Sequence, residues 1–136
     1  MKTCLDCVCN QTFEDIEIIC INDSSTDSSL GILQSYAKKD SRIKVYDQEN
    51  KGAGFVRNIR MKYASGDYIH LIDSDDYFAL NTLELAHDNI TSNDVDMVIF
   101  KYLICRADDT LTIERFEIDK QFPDAISIIS QYPINP

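Results

Sequence analysis

The amino-acid sequence predicts an α/β fold, a mostly parallel sheet flanked by helices. Three observations carry that prediction. Short β-branched runs alternate with segments whose apolar residues recur at helical spacing. Two acidic turn clusters follow directly on such runs, outside the carboxyl ends of the strands, where parallel sheets bind ligands. The length of 136 residues, 44% of them hydrophobic, suits one packed domain and not a disordered chain.

Each element has a local reason. Leu5, Val8 and Cys9 predict one short helix over residues 2–10. Ile16-Glu17-Ile18-Ile19-Cys20-Ile21 is β-branched and predicts a buried strand. It runs into Asn22-Asp23-Ser24-Ser25-Thr26-Asp27, a dense cluster of turn and cap residues. Leu30, Leu33, Tyr36 and Ala37 predict a helix, and Ile43-Lys44-Val45-Tyr46 a second strand. Gln48 to Gly54 reads as a loop and Phe55 to Ala64 as a helix, with Gly66 just past its end. Tyr68-Ile69-His70-Leu71-Ile72 predicts a third strand that leads into Asp73-Ser74-Asp75-Asp76. A helix follows from Leu80 to Asn89, opened by Asn81 or Thr82. Val95 to Phe100 predicts a fourth strand continuing toward Cys105, and Leu111 to Ile118 a half-exposed one.

Charge narrows the function. The formal net charge is −10 and the pI about 4.4, with no basic stripe, which argues against nucleic acid as the main partner. No apolar run approaches the roughly 20 residues of a membrane span. The N-terminus shows no signal-peptide pattern, and five cysteines, an odd count, fit reduced thiols. The expected location is therefore the cytoplasm, with peripheral attachment at the inner membrane face left open. Cys4-x-x-Cys7-x-Cys9 lacks the second ligand pair of a closed zinc site and reads as helix packing.

Three segments could carry chemistry. In extended chain, Asp73 and Asp75 point the same way and Asp76 points elsewhere. Their mutual repulsion is relieved either by solvent, as an acidic helix cap, or by a cation. Carboxylate oxygens suit Mg²⁺ or Mn²⁺ held jointly with phosphates. Asn22 to Asp27 reads first as a helix cap; its functional reading needs Asp23 to accept a hydrogen bond from a ligand N–H. In Asn50-Lys51-Gly52-Ala53-Gly54-Phe55-Val56-Arg57-Asn58, the glycines and the helix start could admit a phosphate. A plain loop is the simpler reading of that stretch.

Taken together and in this order, these segments resemble family 2 glycosyltransferases of the GT-A (Rossmann-like) fold. The matching stretches are Gln11-Thr12-Phe13, Glu17-Ile18-Ile19 with Asn22 to Asp27, Asn50-Lys51-Gly52 with Arg57-Asn58, and Gly66-Asp67-Tyr68-Ile69 with Asp73 to Asp76. The resemblance implies sugar transfer from a nucleotide-sugar donor, often UDP-linked, to a hydroxyl of a glycan or lipid-linked acceptor. It implies that Asp23 contacts the donor base and that Arg57 lines the donor pocket. Asp75 and Asp73 would hold Mg²⁺ or Mn²⁺, with Asp73 also near the ribose.

The departures set further expectations. Members of the family begin with an apolar strand, whereas Met1 here falls inside the first helix. The expectation is an incomplete fold: a donor-binding domain over 1–107 that lacks its first strand, and a partial acceptor-side segment over 108–136. The family's general base lies in the acceptor half. Asp108, Asp109, Asp119 and Asp124 are available, but none lies in a segment matching that base, so the catalytic residue is left unassigned. Little activity from this chain alone is therefore expected. The alternatives are a non-catalytic nucleotide-sugar-binding remnant or gene fragment, and a haloacid-dehalogenase-type phosphatase, from which Asp76-Tyr77 departs.

Overall fold

The computed structural model describes residues 1–50 and 61–100, together with the backbone of 102–105 and 111–114. The chain divides into two compact units, Met1–Met97 and Val98–Pro136. In the first, helix α1 (Lys2–Cys9) precedes strand β1 (Ile18–Asp23), helix α2 (Ser29–Ala37), strand β2 (Ile43–Gln48) and helix α3 (Thr82–Asn93). In the second, strands β3 (Tyr102–Cys105) and β4 (Leu111–Glu114) form an antiparallel pair, with Tyr102 opposite Glu114.

The β1-α2-β2 unit is the centre of the first part. Its two strands are parallel and in register from Ile18 opposite Ile43 to Asp23 opposite Gln48. A parallel pair needs a crossover, and α2 supplies it. The helix turns one face to the strands: Leu33 is buried and Ile32, Tyr36 and Ala37 are half-buried, while Gly31, Gln34 and Ser35 are exposed. Asp27, one residue before the N-cap Ser28, accepts the N–H of the first helical residue, Ser29, at 2.9 Å. Among the described residues, the buried apolar side chains are Ile18, Ile43 and Leu33 here, Cys4 and Leu5 on α1, and Ile90 on α3. Arg42 ties α1 to the entry of β2, donating to the Cys9 carbonyl and to Asp40, both at 2.7 Å.

Several boundaries differ from the sequence prediction. Strand β1 starts and ends two residues later than expected, so Asp23 is its last residue. Helix α3 runs four residues past Asn89 and stops where Asp94 turns left-handed, at φ 49°. The expected strands over 68–72 and 95–100 form no ladder among the described residues. A β-branched run supplies only propensity; a strand exists when a neighbour hydrogen-bonds to it. Tyr68, Ile69 and Leu71 are accordingly about half exposed, at 50–52%. Residues 61–63 are helical, as predicted, and the rest of the expected 55–64 helix lies outside the described residues. So do 115–118 of the last predicted strand. No helix among the described residues is long and apolar enough to cross a membrane.

Candidate functional site

The Asp73-Ser74-Asp75-Asp76 segment is a tight turn, not extended chain. The Asp76 N–H donates to the Asp73 carbonyl at 3.1 Å, closing a four-residue loop. The two-residue alternation that would set Asp73 and Asp75 on one side therefore does not apply. All three carboxylates are exposed. The rings of His70 and Phe78 meet edge-on at 5.1 Å and close the base of the loop.

Three residues from the first seventeen hold this segment. Glu17, just before β1, accepts the Gly66 N–H at 3.1 Å and the Ser65 hydroxyl at 3.0 Å. It also accepts the Ser65 N–H and, on its other oxygen, the Lys44 ammonium at 2.8 Å. The hydrogen bond from Lys44, followed by those from Ser65 and Gly66, holds its carboxyl down to about 2. Cys4 places its thiol 3.6 Å from the Asp73 carbonyl oxygen. Burial is the main cause that raises the Cys4 pKa, with the neighbouring Cys7 next. Gln11, only 4% exposed, donates to the carbonyls of Cys7 (3.1 Å) and Ala79 (2.8 Å) and accepts the Leu83 N–H at 3.1 Å. These bonds bracket the turn from Ser65 to Leu83.

The second acidic cluster closes the carboxyl ends of β1 and β2. Asp23 accepts from the Gln48 amide at 2.8 Å, and buried Asn22 donates to Asp47 at 2.7 Å. The sequence reading needed Asp23 for a ligand alone; the structure engages it with Gln48. Ser24 takes a left-handed φ of 57° and its hydroxyl donates to the Gln48 carbonyl at 3.0 Å. Beside them lies an open hollow of about 480 Å³, lined by Asn22, Ser24, Ser25, Leu30, Asp47, Gln48 and Glu49.

Arg57 and the Lys51–Arg57 loop lie outside the described residues. Among the described residues, no group of three or more His, Cys, Asp and Glu side chains is placed to hold a metal ion. The Cys4 and Cys7 thiols are used inside the protein, Cys7 donating to the Cys4 carbonyl at 3.1 Å.

The family profile for glycosyl transferase family 2 matches residues 1–131, a span that contains both acidic clusters and all three anchors. The chain belongs to glycosyl transferase family 2. EpsH of Bacillus subtilis is 43% identical over 102 residues, covering 75% of this chain and 29% of EpsH. Glycosyltransferase GlyG of Streptococcus pneumoniae is 38% identical over 100 residues, covering 73% of this chain and 33% of GlyG. A poly(ribitol-phosphate) beta-glucosyltransferase of Bacillus spizizenii is 42% identical over 105 residues, covering 74% of this chain and 17% of that protein. The chain thus spans about a third or less of the length of these curated relatives. In this family 2 chain, sequence reasoning found the acidic clusters but not the roles of Gln11 and Glu17. Both lie in stretches that match the family, yet nothing local says what they bind.

Proposed function

We propose that this chain is the donor-binding part of a glycosyltransferase that moves a sugar from a UDP-linked donor to an acceptor hydroxyl, with inversion. The observation that carries the reading is the family 2 match over residues 1–131, which spans the Asp73–Asp76 turn. Asp23, at the end of β1, would accept from the donor base beside the hollow. Arg57 would add positive charge on the donor side. The name of the Bacillus spizizenii relative supports a polymeric, hydroxyl-bearing acceptor.

The donor set fits a hard divalent cation in one respect. Asp73 and Asp75 present exposed carboxylate oxygens on one short turn. They are too few to bind such an ion unaided, and Mg²⁺ or Mn²⁺ commonly completes its shell with substrate phosphates and water. A bound cation would neutralise the departing diphosphate as a Lewis acid. The protein's own contribution is to hold the turn and orient the nucleotide against β1 and β2.

Calorimetric titration of the chain with UDP and UDP-sugars, with and without Mn²⁺, tests this. The expected result is metal-dependent binding that weakens in Asp75→Asn. If no nucleotide binds, or if binding ignores both the metal and Asp75→Asn, the reading fails.

A further inference from the structure

We infer that Gln11 is a positioning residue for the Asp73–Asp76 turn, acting through Ala79 and the start of α3; the inference rests on the metal-assisted donor reading. A carboxamide that is 4% exposed must find partners, because burying it unpaired costs stability. Gln11 makes three bonds, to three separate pieces of chain: Cys7 on α1, Ala79 three residues beyond the turn, and Leu83 in α3. The Leu83 N–H is one of the first four that a helix leaves without an internal acceptor. The N-cap residue Asn81 makes no side-chain capping bond. Gln11 therefore caps α3 from 72 residues away in sequence.

Thr12 strengthens the same joint. Its N–H donates to the Leu80 carbonyl at 2.8 Å, and its hydroxyl donates to Glu84 at 2.7 Å. Helix α1 thus holds the turn at Asp73, through Cys4, and the residues just after it hold the outgoing flank at Ala79 and Leu80, through Gln11 and Thr12. A cation with only a pair of protein ligands depends strongly on what orients those ligands. Groups bonded directly to metal ligands are worth roughly 10–100-fold in metal affinity, and Gln11 acts one step further out, on the backbone at Ala79, so the low end of that range applies.

The test is titration of Mn²⁺ into the full chain saturated with UDP, followed by Mn²⁺ electron paramagnetic resonance. Gln11→Met, close in volume, removes all three bonds. The expected result is a Mn²⁺ Kd weaker by about 10-fold at unchanged stoichiometry. A role in folding alone would lower the stoichiometry and leave the Kd of the folded fraction as it was; that result overturns the inference. If Gln11→Met does not fold, Gln11→Asn, which shortens the arm by one methylene, is read the same way. Hydrogen exchange of the Leu83 amide in the unmodified chain needs no variant: protection is expected, and exchange at the unprotected rate overturns the inference. If Mn²⁺ does not bind the unmodified chain with UDP, the donor reading itself falls, and this inference with it.

Discussion

Glu17 receives the Gly66 N–H at 3.1 Å, so one carboxylate at the foot of β1 sets where the chain starts toward Asp73. The same side chain pairs with Lys44 on the neighbouring strand. Sheet and turn are thereby joined through a charge.

That joint makes stability depend on pH. Glu17 is held at about 2 against an ordinary 4.5, by Lys44 first and then by Ser65 and Gly66. Asp40 is held at about 2 against 3.8, chiefly by Arg42. A depressed carboxyl stabilises the fold fully above its unfolded pKa, and that stability is lost as pH falls toward the folded pKa. The melting temperature is therefore expected to fall between about pH 4.5 and 2. Glu17→Gln should flatten part of that slope, as thermal melts across the range would measure. An unchanged slope would refute the assignment to Glu17.

Asp75→Asn is expected to separate binding from stability. Asp73, Asp75 and Asp76 are exposed like charges, so neutralising one should change unfolding stability by less than about 0.5 kcal/mol. Metal-dependent nucleotide binding should drop sharply. Paired denaturant melts and calorimetry check both halves.

Ser24→Gly is expected to stabilise. At φ 57° a residue with a Cβ is strained by roughly 1–2 kcal/mol relative to glycine. The lost hydroxyl bond to Gln48 is exposed and offsets part of that gain. A net rise in the urea midpoint is the result to look for.

Leu33→Ala is expected to cost about 2–5 kcal/mol, since Leu33 is the buried contact of α2. Nucleotide binding should weaken only as the folded fraction falls. Unfolding curves, compared with the calorimetric stoichiometry, test whether the loss is purely one of folding.

Much of the fold was legible in the sequence because the signals are local. Ile43 to Tyr46 announces a strand by β-branching, and Leu33 with Tyr36 and Ala37 announces a helix by spacing. Asp27 marks the start of α2, where it accepts the Ser29 N–H just outside the cap residue Ser28. Residues 68–72 carry the same strand signal and form no ladder among the described residues, since pairing belongs to the neighbour as much as to the run. The candidate site divides in the same way. Asp73 and Asp75 stand out by composition, but their arrangement on a closed turn does not.

By itself, then, the sequence determined the α/β alternation, the acidic clusters after strand runs and membership of family 2. Tertiary structure alone decided what holds those clusters in place. Gln11 reaches Ala79 across 68 residues and Glu17 reaches Gly66 across 49. Periodicity, capping and turn chemistry act over a few residues, whereas these bonds exist only after β1, β2 and α3 have brought distant backbone together. A lone glutamine or glutamate carries no mark of a partner that distant until the chain has folded.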